Sequence, residues 1–234
     1  MRYPDHLQIV DPKDRRLPTV TQKIKVTEIF HSIQGESSLV GERTSFIRVT
    51  GCPLRCSYCD TRYAYGGGHY MTFEQILEEV TEHKTKYVCL TGGEPLAHPS
   101  SLPLVLALRA NGYKISIETG GEEDVRPFVG LAKLVMDIKT PGSYVYANQA
   151  FENLQYLLPT DEVKFVICNK EDYLWSKEIL RKYSLVSKFT VLFSPSYDQV
   201  SLKDLAEWIL EEKLDVRLQT QLHKHIWGPN VPSV

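Results

Sequence analysis

The sequence has no apolar run long enough to cross a bilayer. Its longest, Leu102–Leu108, is interrupted by Pro103, whereas a spanning helix needs about 20 apolar residues. Met1 to Arg16 mix Arg, Asp, Lys and Pro and lack the apolar centre of a secretory signal, so a cytoplasmic location with no membrane partner is expected. Neither sign of charge dominates: 27 Lys and Arg stand against 29 Asp and Glu, a net charge of -2. Nothing in that balance predicts a nucleic-acid partner. Internal repeats and low-complexity tracts are also lacking. Cysteines are few and odd in number, five, and no second Cys-x2-Cys pair exists to complete a four-thiolate zinc site.

What is present is ordinary globular composition, 42% hydrophobic and 24% charged over 234 residues. A chain of this length buries roughly 70–75% of its unfolded surface and needs no disulfide scaffold. Residues 1–23 read as a charged extension punctuated by Pro4, Pro12 and Pro18, expected to lie on the surface or be partly disordered. Residues 24–234 read as one domain. Short runs rich in Val, Ile, Phe and Tyr predict strands at Lys25–Phe30, Thr44–Thr50, Tyr87–Leu90, Lys114–Glu118, Leu134–Ile138, Glu162–Cys168, Phe189–Phe193 and Val216–Thr220. Helical spacing follows a capping box at Thr72-Phe73-Glu74-Gln75, the pair Ser100-Ser101, and Ser201-Leu202-Lys203-Asp204. Strand and helix alternating this way predict an α/β fold with a mostly parallel sheet.

Ligands of parallel α/β folds sit at the C-terminal strand ends. Those positions hold Gly51-Cys52, Thr91-Gly92-Gly93-Glu94, Glu118-Thr119-Gly120, Asp137-Ile138-Lys139 and the tail from Gln219. Cys52, Cys56 and Cys59 form a Cys-x3-Cys-x2-Cys loop, which in a reducing compartment points to a soft metal centre. Two readings compete. A cubane iron–sulfur cluster with three protein ligands keeps one iron open; a zinc ion would borrow His69 or His31 as a fourth ligand. Cys89 and Cys168 lie in predicted strands and read as small buried hydrophobes. In Phe46-Ile47-Arg48-Val49-Thr50, Arg48 shares a face with Phe46 and Thr50, so a charge inside a buried strand needs an anionic partner. That partner is either an internal carboxylate such as Glu36 or Glu118, or a ligand carboxylate held bidentately.

The cysteine loop after a strand, followed by Gly92-Gly93-Glu94-Pro95 after the next, resembles the radical S-adenosylmethionine superfamily. Ile29 to Glu36, Phe46-Ile47-Arg48, Cys59-Asp60-Thr61, Glu118-Thr119-Gly120 and Gln221 to Lys224 resemble its 7-carboxy-7-deazaguanine synthase family. The resemblance implies a partial (β/α) barrel and a [4Fe-4S] cluster on the three cysteines. It implies a reaction in which S-adenosylmethionine yields a hydrogen-abstracting radical. The implied substrate is 6-carboxytetrahydropterin, contracted to 7-carboxy-7-deazaguanine with loss of ammonia. The implied cofactor residues are Tyr58, Asp60, Gly93, Glu94, Glu118, Thr119, Gly120, Asp137 and Lys139. Ile33, Gln34, Gly35, Glu36, Arg48, Thr91, Gln221 and His223 would hold the pterin, and Thr61 would offer its hydroxyl to Mg²⁺. A reducing protein such as flavodoxin or ferredoxin would be the electron donor, and a homodimer the assembly. Two other functions stay open: an activating protein for a glycyl-radical enzyme, and a non-catalytic metal-binding module.

Overall fold

The computed structural model describes residues 22–146, 150–229 and 231–234. All but the last two residues of the N-terminal extension therefore lie outside the described residues. The strands are β1 (Lys23–Ile33), β2 (Arg43–Val49), β3 (His69–Thr72), β4 (Tyr87–Gly92), β5 (Lys114–Thr119), β6 (Lys133–Ile138), β7 (Glu162–Ile167), β8 (Thr190–Pro195) and β9 (Arg217–Leu218). They form one sheet in the order β3-β1-β2-β4-β5-β6-β7-β8-β9. From β2 to β9 all pairings are parallel, while β1 runs antiparallel to both β2 and β3. No pairing joins β3 to β9 among the described residues, so the barrel is partial.

The alternation of side chains along each strand builds the two faces. Ile47 and Val49 of β2, Ile115 and Ile117 of β5, Leu134, Met136 and Ile138 of β6, and Val163, Phe165 and Ile167 of β7 enter the main core. Their neighbours Arg48, Glu118, Asp137 and Lys164 point the other way, into the barrel, where they line a cavity.

The helices cover the core face. In α1 (Phe73–Glu82), Thr72 accepts from the Gln75 amide and the Gln75 side chain accepts from the Thr72 amide, the reciprocal cap expected from the sequence. Phe73, Ile76 and Val80 are its buried side. In α2 (Ser101–Ala110), Pro103 sits in the first turn and Asn111-Gly112 ends the helix. Gly112 takes a left-handed φ of 86° there, the conformation glycine adopts without cost. In α3 (Lys170–Tyr183), the Asn169 side chain caps the Asp172 amide; in α4 (Leu202–Glu211), Ser201 caps Asp204. A short α5 (Leu222–Trp227) follows β9 and turns back across the strand ends. The sequence pattern does not mark α3, because its inward stripe includes the buried polar residues Asp172 and Ser176. It also omits β3 and α5, four and six residues long, too short to show a period.

Candidate active site

The strand ends surround a cavity of about 700 Å³. Every site residue named from the sequence lines it, from the three cysteines to Gln221 and His223.

The cysteine loop follows β2 and is tied down at several points. The Ser57 amide and hydroxyl donate to the carbonyls of Ser143 and Gly142, at 3.0 and 2.6 Å. The Arg62 guanidinium donates to the Ser57 carbonyl at 2.6 Å. That 141–143 turn is in turn held by Asp172, whose carboxylate accepts from the Gly142 amide, the Thr140 hydroxyl and the Cys168 amide. Cys52, Cys56 and Cys59 are free thiols, partly exposed to the cavity. Burial pushes the Cys52 thiol up to about 11 and raises Cys56 as well. Binding iron as thiolates would therefore be linked to loss of protons.

The donor set separates the two metal readings. His31 faces His83, with ring centroids 4.9 Å apart, and His69 lies in edge strand β3; neither lines the cavity. Zinc thus has no fourth ligand where the sequence offered one. Among the described residues, no three His, Cys, Asp or Glu side chains converge on one metal ion. Three thiols that each take a different iron of a cubane have no need to converge, so the loop fits a cluster better than a single ion. Cys89 packs with Phe30 and Phe46 in a small separate core, and Cys168 is also buried.

Beside the loop, the ends of the paired parallel strands β2 and β4 pack backbone against backbone. The Gly93 amide donates to the Val49 carbonyl at 3.0 Å and the Glu94 amide to the Gly51 carbonyl at 2.8 Å. A Cβ on Gly93 would overlap the Gly51 carbonyl, and one on Gly92 would overlap the backbone of Val49. The sequence suggests that these glycines admit a ligand; the structure shows that they admit the neighbouring backbone. Glu94 is buried and accepts from the Leu96 amide, the Thr119 hydroxyl and the Gly120 amide, at 2.8 to 2.9 Å. Burial, with Glu122 nearby, pushes its carboxyl up to about 7. A cationic ligand group would relieve that cost.

Further round, the Lys139 ammonium pairs with Asp137 at 2.9 Å and stands over the Tyr58 ring at 5.9 Å. The Tyr58 hydroxyl and Asp137 Oδ1 are buried without a hydrogen-bond partner. Two such polar atoms on one cavity wall fit a polar ligand that completes them. Thr61 donates to Asp60, and Asp60 also accepts from Lys224 at 2.7 Å. Burial opposes the Asp60 charge, but Lys224, Thr61 and Gln221 together outweigh it and hold the carboxyl down to about 2.

The opposite wall is a donor and acceptor array. Glu36 accepts from Lys164 at 2.8 Å, Gln221 at 2.9 Å and Gln219 at 3.3 Å. The Gln34 side chain accepts from the Glu36 amide, and the Leu222 amide donates to the Gly35 carbonyl. A Cβ at Gly35 would strike the His223 ring. Arg48 donates through Nε to Glu28 at 2.6 Å, between the rings of Phe30 and Tyr63. The carboxylate partner of Arg48 inside the protein is thus Glu28, not Glu36 or Glu118. Lys164 and Tyr197 line the cavity and were missed by sequence reasoning, while Gln219, at the start of the tail singled out in the sequence, supports Glu36. Lys164 lies between Val163 and Phe165 of β7, and only its alternation with them could have marked it.

A family model described as the Radical SAM superfamily matches residues 46–209. A protein named 7-carboxy-7-deazaguanine synthase from Koribacter versatilis is 39% identical over 226 residues, covering 90% of this chain and 100% of the relative. One of the same name from Chlorobaculum tepidum is 37% identical, covering 90% and 97%. The chain belongs to the 7-carboxy-7-deazaguanine synthase family. The crystal structure of QueE from Escherichia coli matches its fold with a TM-score of 0.71 at 23% identity, over 87% of this chain and 97% of that one. This membership makes the chain a radical SAM protein, a family built around a [4Fe-4S] cluster and S-adenosylmethionine. The 7-carboxy-7-deazaguanine synthase resemblance in the sequence therefore holds, and so does its partial barrel. No helix among the described residues is long and apolar enough to cross a membrane.

Proposed function

We propose that the chain forms 7-carboxy-7-deazaguanine from 6-carboxytetrahydropterin with release of ammonia. The observation that carries this is the single cavity in which three thiols on one wall face the Glu36, Gln221, Lys164 and Arg48 array on the other. Cys52, Cys56 and Cys59 would hold the [4Fe-4S] cluster. Bound there, the cluster and S-adenosylmethionine would supply one-electron, hydrogen-abstracting chemistry. Glu94 would accept from the cofactor's ammonium, Lys139 would take its carboxylate, and Tyr58 would stack on its adenine. Glu118, Thr119 and Gly120 would serve its ribose, with Gly93, Asp60 and Asp137 completing the cofactor site.

The pterin edge offers an amide, an amino group and ring nitrogens, so it needs acceptors and donors together. Glu36 accepts, and Gln34 and Gln221 do both. Arg48 takes the substrate carboxylate through guanidinium nitrogens other than the Nε that Glu28 holds. Ile33, Gly35, Thr91 and His223 complete the wall. Thr61 would offer its hydroxyl to Mg²⁺, with substrate oxygens as further ligands, since one hydroxyl alone is a poor magnesium site. The working enzyme is a cytoplasmic homodimer reduced by a small protein such as flavodoxin or ferredoxin, with residues 24–234 as its catalytic unit.

The deciding experiment is anaerobic cluster reconstitution followed by reductant, S-adenosylmethionine, Mg²⁺ and the carboxypterin. The deazapurine product and ammonia are expected by mass analysis. A radical passed instead to a partner protein would sink the proposal in favour of an activating enzyme, and zinc without acid-labile sulfide would favour a metal-binding module. Cys52→Ala, Cys56→Ala and Cys59→Ala should each abolish cofactor cleavage, whereas Cys89→Ala should not.

A further inference from the structure

We propose that Lys164 is a positioning residue that keeps Glu36 ionised and aimed into the cavity as the acceptor for the substrate's donor edge. The inference rests on the pterin reading above and deepens it.

Lys164 is buried in the middle of β7, in register with Asp137 on one side and Leu192 on the other. Its ammonium lies 2.8 Å from Glu36, 3.8 Å from Asp137 and 4.0 Å from Glu118. The other cations of the cavity centre are engaged elsewhere. Lys139 sits on Asp137 and Arg48 on Glu28. Lys164 is therefore the ion-pair partner of Glu36 among the described residues.

Glu36 needs that partner. It comes from the 34–42 loop, carried over the barrel by the Ser37 amide on Gln219 and the Ser38 amide on Glu162. There it is almost wholly removed from water, and an isolated buried carboxylate takes up a proton. Burial is the largest influence and opposes its charge, but Lys164, with smaller help from Gln221 and His223, holds its carboxyl below the usual range. Burial likewise opposes the Lys164 charge, and Glu36, Asp137 and Glu118 outweigh it. With Lys164 in place both Glu36 oxygens are acceptors. Without it one oxygen carries a proton and becomes a donor facing substrate donors, the arrangement hydrogen bonding punishes most.

The test is the equilibrium dissociation constant of 6-carboxytetrahydropterin for the reconstituted full chain, with S-adenosylmethionine and no reductant. Charged and titratable groups around Glu36 are Lys164 of β7, His223 of α5, Glu118 of β5, Asp137 of β6, Arg48 of β2 and Asp60 of the cysteine loop. All but Lys164 are shared by the variants compared. Lys164→Met should weaken carboxypterin binding about tenfold or more near about pH 6.5, with recovery toward about pH 8.5 as Glu36 ionises. Wild type should change far less over that window, because its Glu36 is already ionised and only groups common to all variants, such as Glu118 with its carboxyl pushed up to about 7 by burial, titrate there. Lys164→Arg keeps the charge and should follow the wild-type profile closely. Cofactor affinity should fall far less than substrate affinity in either variant.

Carboxypterin binding by Lys164→Met that equals wild type at both pH values overturns the inference alone. So does a pH-independent loss of substrate and cofactor affinity together, which marks a purely structural ion pair. If Lys164→Met does not fold, Lys164→Arg decides: a pH-dependent, tenfold loss with the charge retained also overturns it. No carboxypterin binding by wild type overturns the proposed function itself.

Discussion

Arg48 shows how far one residue could be read from the sequence. Its face of β2 was evident from alternation, and the need for an anionic partner followed from burial. The partner was not evident, because Glu28 sits across the antiparallel β1–β2 pair, and register sets that meeting. Glu28 and Arg48 are paired there at 2.6 Å, with Tyr63 and Ser233 also donating to Glu28. Burial opposes the Glu28 charge, and these donors outweigh it and lower its carboxyl. The guanidinium retains donors for a second carboxylate. A charge-assisted hydrogen bond is worth about 1.5–3 kcal/mol, so Arg48→Gln should lose roughly ten- to a hundred-fold in kcat/KM for the carboxypterin. Arg48→Lys should recover only part, since a point charge cannot make the fork. Normal carboxypterin binding by a folded Arg48→Gln would leave Arg48 with the Glu28 ion pair alone. Lys164 is the opposite case: alternation with Val163 and Phe165 is its one local signal, and its three carboxylates come from three separate segments.

Elements were more legible than side-chain partners. The eight strands named from composition all exist within a few residues of their expected bounds, because each is a short apolar run flanked by polar or glycine residues. The glycine turn was also located, but its close backbone packing against Val49 and Gly51 at the paired ends of β2 and β4 was not. Gly93→Ala should therefore fail at folding before it fails at cofactor binding, losing about 3 kcal/mol or more of stability. A folded, stable Gly93→Ala with selectively weakened cofactor binding would restore the ligand-approach reading. The support of the cysteine loop was not legible at all. It runs from Asp172 of α3 through Gly142 to Ser57, three segments distant in sequence. Asp172→Ala removes the acceptor of three buried donors and should cost roughly 3 kcal/mol or more. It should also loosen the loop, so that reconstituted protein loses iron and sulfide faster than wild type during anaerobic gel filtration. Iron retention equal to wild type in a destabilised variant would separate the turn from the cluster.

At the scale of the whole molecule, a partial barrel gathers charges from many separate segments into one cavity, and its titration should show in global stability. Glu94 and Glu118 are pushed up to about 7 from 4.5, in each case first by burial. Both folded values lie above the unfolded ones, so the stability these groups contribute is complete below about 4.5 and is lost as pH rises through about 7. Glu36, Glu28 and Asp60 are shifted the other way, so their contribution is present above the unfolded carboxylate values and is lost as pH falls. The cofactor-free protein should accordingly be most stable between about pH 4.5 and 6, with its Tm declining toward about pH 8. Glu94→Gln should flatten part of that decline, because an amide does not titrate. S-adenosylmethionine should also flatten it in wild type if its ammonium meets Glu94, since a cation there favours the carboxylate. Tm measured across that range with and without the cofactor tests both statements. A Tm that rises steadily from pH 5 to 8 in the cofactor-free protein would contradict the buried acids. A decline that the cofactor leaves untouched would move the ammonium away from Glu94.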